Sequence, residues 1–373
     1  QTAGYDQAAH GVPEWQSPYE HNPKTFALLA KHPLTDILVS STKISDFITA
    51  RNAPAEAWTA VWSSIVSWLA NRPIDMPAWA PAVRPSYARD GALPEAAERA
   101  AFTRAAHWLL SSNLLQSNGA GGMQEGYASI IDYAGNQPVK TALRADAASE
   151  CAMALAFNAK LADDSKSREA AKNLLAFIFD TSGLVNGNGV DADSPISGLI
   201  GRDTEGGSTA YCGDDNARTV LGALATSALL KTDKWDAAIE RCLMANLRTS
   251  CVNGFRQECI TADDLAAHGW QAYSESAYAL YTPQSQAYLW ACFLWAYQRT
   301  QHAPFLERAR AGIRMTMDAY PNDWRWTYSM QAERARMLLP LAWLVRIEDT
   351  PEHRGWLRRV ADDLLAHQDE SGA

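Results

Sequence analysis

Pairs of segments along this 373-residue chain alternate between two kinds of predicted helix. The first member of each pair is almost free of charge and apolar all round, which predicts a helix buried on every side. The second member has charged residues on one face, which predicts a helix with one side in water. The clearest pairs are residues 151–159 with 165–179, 220–230 with 234–248, 287–297 with 304–318, and 337–345 with 351–369.

Such an alternation predicts an all-α fold in which an outer ring of amphipathic helices surrounds an inner ring of apolar helices. Connections from an inner to an outer helix are only a few residues long. Connections back to the next inner helix are long, at residues 116–140, 180–213, 251–283 and 320–327. Because long ordered loops tend to carry function, the functional face is expected at the N-termini of the inner helices.

The N-terminal part has a different character. Residues 1–53 are punctuated by Pro13, Pro18, Pro23 and Pro33, and they are interpreted as an arm that wraps a helical domain of residues 54–373. Short helices are expected at residues 24–31 and 43–51. Longer ones are expected directly after Pro54 and at residues 95–115.

Two adjacent acids, Asp214 and Asp215, stand where a long loop meets the almost uncharged helix 217–230. Capping of the helix N-terminus could explain one of them, and Asp214 suits that role. A second carboxylate beside the first is harder to explain as a cap, since like charges raise a pKa, as a general acid requires. Asp215 is therefore the first catalytic candidate, with Asp214 beside it.

Further acids fall on the same predicted face. Glu125 lies between glycines in the first long loop, where it is either a catalytic candidate or a solvated turn residue, and Tyr127 could stack against a ring. Asp146 and Glu150 share one helix face at i and i+4 spacing. Glu150 is a catalytic candidate and Asp146 a binding candidate, although both could instead pair with an arginine.

Arginines recur near the starts of the inner helices, among them Arg144 and Arg218. They either tie carboxylates together or bind an anionic substrate, because the guanidinium fork matches a carboxylate. The chain has 14 Trp and 13 Tyr, and tryptophans in long loops have less reason to be core than those in helices. Three such tryptophans are candidates for substrate stacking: Trp270, Trp324 and Trp326.

The formal charge of −9 argues against nucleic acid or an anionic membrane as a partner. None of the six cysteines forms a Cys-x-x-Cys pair; Cys251 and Cys259 are close enough to suggest a local disulfide, and three others read as buried thiols in helices. Residues 186–193 lack the spacing of a calcium loop. We expect no metal or cofactor. The chain begins with Gln1, which favours a secreted or periplasmic protein over a cytoplasmic one.

The alternation over residues 54–373 resembles the (α/α)6 toroid, or six-hairpin, glycosidase superfamily. The runs Gly-Asp-Asp-Asn-Ala-Arg (213–218) and Glu-Arg-Ala-Arg-Met-Leu-Leu-Pro-Leu-Ala-Trp-Leu (333–344) are similar to those of uncharacterised bacterial members. About five hairpins are recognisable. Either residues 24–51 supply an irregular sixth, or the ring is incomplete in this chain and another segment or chain completes it.

The resemblance implies a glycoside hydrolase that cleaves an oligo- or polysaccharide. If the arginines bind an anionic sugar rather than carboxylates of the protein, the substrate contains uronate. Hydrolysis of this kind uses a protonated acid and an ionised carboxylate, here Asp215 with Glu125 or Glu150. Two alternatives stay open. One is a toroid polysaccharide lyase that acts on uronates, and the other is a non-catalytic carbohydrate-binding helical protein.

Overall fold

The computed structural model describes residues 2–3, 25–26, 29–40, 55–76, 87, 91–128, 136–185, 194–205 and 210–368. These residues divide into two compact units. Of the described residues, the first unit contains 2–3, 25–26, 29–40, 55–76, 87, 91–97, 126–128 and 136–140, and the second contains 98–125, 141–185, 194–205 and 210–368.

The first unit contains short strands and one long helix. Strand β1 (Thr2–Ala3) pairs with β2 (Thr25–Phe26), β3 (Leu29–Lys31) pairs with β4 (Leu38–Ser40), and α1 spans Ala55–Ala70. The helix expected at residues 24–31 is therefore wrong. Pro33 lies in the turn after β3 and cannot continue a helix, and His32 N donates to Ile37 O to close a hairpin instead. The helix expected at residues 43–51 lies outside the described residues.

The second unit is built almost entirely of helices. They are α2 (Ala97–Ser111), α3 (Ala145–Ala162), α4 (Ser165–Ala176), α5 (Gly213–Leu230), α6 (Asp236–Arg248), α7 (Ala262–His268), α8 (Gln271–Ser274), α9 (Pro283–Thr300), α10 (Ala303–Asp318), α11 (Met330–Ile347) and α12 (Pro351–Leu365). In the described part of the chain, no helix is long and apolar enough to cross a bilayer.

Helices α3, α5, α9 and α11 pack side by side in that order as the inner layer, and α4, α6, α10 and α12 each follow one of them on the outside. The turns from inner to outer helices are short. Three of the inner helices end in left-handed residues, which are Asp163, Lys231 and Gln301. This architecture confirms the predicted all-α, α/α-toroid class. Four of the five or so expected hairpins lie in the described part of this unit.

The apolar pattern is confirmed by burial. Helix α9 has Trp290, Phe293 and Leu294 fully buried, as expected for a helix enclosed on all sides. Outer helix α10 buries Ile313 and Ala309 on one face while Arg314 on another face pairs with Glu352 of α12.

The long loops carry two further pairs of strands. Strand β5 (Gln124–Tyr127) pairs with β6 (Val139–Leu143), and β7 (Ala210–Cys212) pairs antiparallel with β8 (Cys259–Thr261). Each of β6 and β7 runs into the start of an inner helix, α3 and α5 respectively. The strands thereby set where the first turns of these helices lie.

The disulfide expected between Cys251 and Cys259 is wrong. Cys259 is bonded to Cys212, because the register of β7 and β8 places these two residues directly opposite each other. The Cys251 thiol is buried and donates to Tyr273 O at 3.3 Å. The expectation that Cys151, Cys242 and Cys292 are buried thiols is confirmed.

Candidate functional site

A cleft of about 680 Å³ lies at the N-terminal ends of inner helices α3, α5 and α9. This is the face on which the sequence placed the long loops. The charged residues lining the cleft are Glu125, Arg144, Asp146, Glu150, Arg202, Asp214, Asp215, Arg218 and Glu258. A volume of this size suits a small ligand or a few sugar rings, and polar groups converge on it.

The centre of the cleft floor is a charge network between α3 and α5. Arg144, just before α3, donates Nε to Asp146 Oδ1 at 2.9 Å and Nη2 to Asp146 Oδ2 at 2.9 Å. The same Nη2 donates to Asp215 Oδ1 at 2.8 Å. Arg218 of α5 donates Nη1 to Asp146 Oδ2 at 2.5 Å. Its Nε and Nη2 donate to Oε1 and Oε2 of Glu150 at 2.7 and 2.6 Å. Two arginines thus bind three carboxylates.

The three carboxylates are not electrostatically equivalent. Burial would raise the pKa of Asp146, but the bonds from Arg144 and the charge of Arg218 outweigh it and hold that pKa below its ordinary value. For Asp215, burial and the negative charge of Asp146 dominate over Arg144, and its pKa is raised to about 6. Near pH 5, Asp146 is therefore ionised whereas Asp215 is largely protonated.

Asp214 faces a different partner. Arg336, in the second turn of α11, donates Nη1 to Asp214 Oδ1 at 2.8 Å and to the carbonyl of Gln284 at 3.1 Å. Burial raises the pKa of Asp214 in spite of the positive charge of Arg336. Cys212 occupies the N-cap position of α5, so Asp214 belongs to the first helical turn and is not the cap.

The opposite walls of the cleft carry two more acids. Glu125 is an exposed residue of β5, and its negative charge acts on Arg144. Glu258 immediately precedes β8, and its side chain accepts a hydrogen bond from the hydroxyl of Ser285 in the first turn of α9. Its carbonyl accepts from Gly213 N at 2.9 Å, which holds this wall to the start of α5.

The aromatic residues proposed for stacking are distributed differently from the acids. Trp324 is 5% exposed, and its indole N–H donates to Thr316 O at 2.7 Å, so it is a core side chain and has no face for a sugar. This corrects its assignment as a stacking residue. Trp270 is partly exposed between α7 and α8, and Trp326 is half-buried. Tyr127 is a half-buried residue of β5 in the first unit.

Three residues of interest were not among the sequence candidates. Tyr328 is 73% exposed and lines the cleft beside Thr327. Glu258 lies in the third long loop between Gln257 and Cys259, with no adjacent glycine or acid to mark it. Glu333 stands in a run that the sequence singled out, but only the structure shows that its carboxylate is completely buried.

Within the described ranges, no group of three or more His, Cys, Asp or Glu side chains could hold a metal ion. The segment 186–193, considered as a calcium loop, lies outside those ranges. The cleft-lining residues include no histidine among the described side chains.

Several solved structures are similar to this chain at low identity. A D-mannose isomerase has 13% identity and a TM-score of 0.49, over 70% of this chain and 69% of that one. A beta-1,3-1,4-glucanase from Paenibacillus sp. X4 has 11% identity and a TM-score of 0.45, over 68% of each chain. A sugar epimerase from a ruminal bacterium has 10% identity and a TM-score of 0.46, over 72% of this chain and 73% of that one. No protein-family model and no curated protein matches the sequence. At these values, the function has to be argued from the cleft itself.

Proposed function

We propose that this protein is a glycoside hydrolase in which Asp215 is the general acid. The observation that carries the proposal is the environment of Asp215 in the cleft. Burial and the negative charge of Asp146, whose own pKa is held low by Arg144 and Arg218, raise the pKa of Asp215 to about 6. A carboxyl group with a raised pKa is what the general acid of glycoside hydrolysis needs.

The geometry of Asp215 suits proton donation. Its Oδ1 is fixed by Arg144 at 2.8 Å, and among the described contacts Oδ2 receives no protein donor. A proton on Oδ2 can therefore be directed into the cleft, toward the oxygen of a scissile bond. Its side chain is 13% exposed, so a substrate can reach it while bulk water is largely excluded.

Glu125 is proposed as the ionised carboxylate. It is exposed on the cleft wall, and its charge acts on the same Arg144 that fixes Asp215. Glu150 suits this role less well, because both of its oxygens are occupied by Arg218. Asp214 and Asp146 are proposed to orient the network rather than to react.

A neutral glycan is the proposed substrate, in preference to a uronate. The charges of Arg144, Arg218 and Arg336 are each paired with a carboxylate of the protein, which reduces their capacity to neutralise a substrate carboxylate. A lyase would need that capacity to neutralise a uronate. Tyr328, which is exposed at the cleft, is the proposed stacking platform for a sugar ring.

The disulfide bears on the compartment. Cys212 and Cys259 both line the cleft, and disulfides persist mainly in oxidising environments. We propose a secreted or periplasmic location on this ground.

A screen of neutral and uronate-containing glycans tests the function, with reducing ends and unsaturated-uronate absorbance measured side by side. We expect new reducing ends from a neutral glycan with wild type, and a loss of roughly 10²- to 10⁴-fold with Asp215→Asn. Asp349→Asn, which alters an exposed ion pair with Arg354, is the matched control and is expected to be fully active.

Other outcomes of the screen discriminate the alternatives. Unsaturated-uronate absorbance from a uronate-containing glycan, with no cleavage of a neutral glycan, would identify a lyase. Binding of glycans without any cleavage would identify a non-catalytic carbohydrate-binding protein. Rescue of Glu125→Ala by azide, which can occupy the space of the missing carboxylate, would support the role of Glu125, and rescue of Glu258→Ala instead would transfer that role to Glu258.

A further inference from the structure

Glu333 is a fully buried acid in the first turn of α11. A buried carboxylate is costly unless hydrogen bonds compensate it, so its bonding partners indicate what it does. Nothing in the proposed hydrolysis uses Glu333, and it is not among the residues lining the cleft.

Both oxygens of Glu333 accept backbone N–H groups from segments that line the cleft. Oε2 accepts from Gln284 N at 2.5 Å, in the first turn of α9. Oε1 accepts from Thr327 N at 3.0 Å, in the loop before α11. Gln284, Ser285, Thr327 and Tyr328 all line the cleft, so one carboxylate joins two parts of its wall.

The attachment continues to the catalytic end of α5. The carbonyl of Gln284 accepts from Arg336 Nη1 at 3.1 Å, and the same nitrogen donates to Asp214 Oδ1 at 2.8 Å. Residue 284 is thus held at both of its backbone groups by α11, through Glu333 and Arg336. Any shift of Glu333 would move this wall relative to Asp214.

We propose that Glu333 is a positioning residue, which holds the α9 N-terminus and the Thr327–Tyr328 segment together as the substrate-binding wall. The catalytic part of this inference rests on the proposed function. A carboxylate is required because two N–H donors must be accepted by two oxygens. An amide offers one oxygen and would turn its NH₂ group toward the other N–H.

Glu333→Gln is the test variant, since it conserves shape and removes one acceptor. We expect faster backbone hydrogen exchange at Gln284 and Thr327, measured on the whole protein by NMR or mass spectrometry. With the best neutral oligosaccharide from the screen, we expect KM to rise about tenfold and kcat to change less than threefold, because the wall binds substrate but does not react. Glu333→Asp, which keeps both oxygens, is expected to restore part of the protection and of the KM.

Glu352→Gln is the matched control, because Glu352 is an exposed first-turn acid of α12 that pairs with Arg314. It should leave both exchange and KM unchanged. Unchanged exchange at Gln284 and Thr327 in Glu333→Gln would overturn the inference, and so would an equal fall in kcat and kcat/KM with KM unaffected. If hydrogen exchange becomes faster in Glu333→Gln but the wild-type protein cleaves no glycan, the positioning role of Glu333 is supported and the proposed hydrolase function is wrong.

Discussion

A single guanidinium nitrogen, Nη2 of Arg144, serves both Asp146 and Asp215. Asp146 also receives Nε of Arg144 and Nη1 of Arg218, so its negative charge is compensated more completely. Asp215 receives one donor and is exposed to the charge of Asp146. At the scale of the residue, the division of labour between the acids follows from how many donors each one accepts.

The pH dependence of activity is the corresponding prediction. Because Asp215 must be protonated to donate, kcat/KM should fall above about pH 6, tenfold for each further pH unit. Measuring kcat/KM from pH 4 to 9 locates this descending limb. A plateau that continues to pH 8 would exclude Asp215 as the acid.

A second variant tests whether the descending limb of the kcat/KM profile belongs to Asp215. Arg144 lowers the pKa of Asp215, so Arg144→Gln should move the descending limb to higher pH. Arg354→Gln, which breaks an exposed pair with Asp349, should leave the limb in place.

At the scale of the element, the site depends on how closely α3 and α5 approach. A Cβ atom on Gly222 would lie 2.5 Å from Ser149 Oγ and 2.7 Å from Ser149 O. The hydroxyl of Ser149 also donates to Thr219 O at 2.7 Å, which joins the two helices. Only glycine permits this spacing, and the helix pair that carries Asp146, Glu150, Asp215 and Arg218 is set by it.

Gly222→Ala should therefore separate α3 from α5 and lower the free energy of unfolding by roughly 1–3 kcal/mol, although alanine is the better helix former. Activity should fall along with stability, since the Arg–carboxylate bonds span the same two helices. Gly355→Ala on α12 is the control: a Cβ there meets nothing within 4 Å, and helix propensity predicts about 0.5–1 kcal/mol of stabilisation. Denaturant unfolding measures the free energy of unfolding of both variants, and the difference between them separates the steric clash at residue 222 from the effect of helix propensity. Equal stabilisation of both would show that the helices can move apart freely.

The elements themselves could be predicted, because they depend on local pattern. The almost uncharged stretch 217–230 became inner helix α5, and both acids at its start line the cleft. Contacts between distant segments could not be predicted. Cys212 meets Cys259 only through the pairing of β7 with β8, and Trp324, although it lies in a loop, packs inward to bond Thr316. In the sequence, Glu333 looks like any acid in the first turn of a helix. Its burial depends on the positions of α9 and of the loop before α11.

At the scale of the whole molecule, the disulfide closes a segment that contains α5 and α6. Cys212 and Cys259 are 47 residues apart, and both line the cleft. Beside them, Gly213 N donates to the carbonyl of Glu258. The disulfide thereby restrains the unfolded chain and also holds the wall of the site to the start of α5.

Replacing both cysteines by serine should lower the free energy of unfolding by about 4 kcal/mol, the chain-entropy value for a loop of this length. Activity should fall as well, because Glu258 loses its covalent tie to α5. Thermal and urea unfolding of the variant, alongside wild type with and without reductant, measures the effect. Double replacement by alanine of Cys251 and Cys292, which are buried and outside any disulfide, is the comparison for cysteine loss without loss of a disulfide. No change in unfolding on reduction would mean that the strand pairing alone holds this segment.

The remaining four cysteines have a practical consequence. Cys151, Cys242, Cys251 and Cys292 are all buried, and the other two are bonded to each other. A thiol-directed dye should therefore not react with the native protein and should label its cysteines only as the protein unfolds. Tyr328→Cys, at an exposed position of the cleft, would then be the single site of labelling. A fluorophore attached there would report which molecules enter the cleft, before any reaction is known.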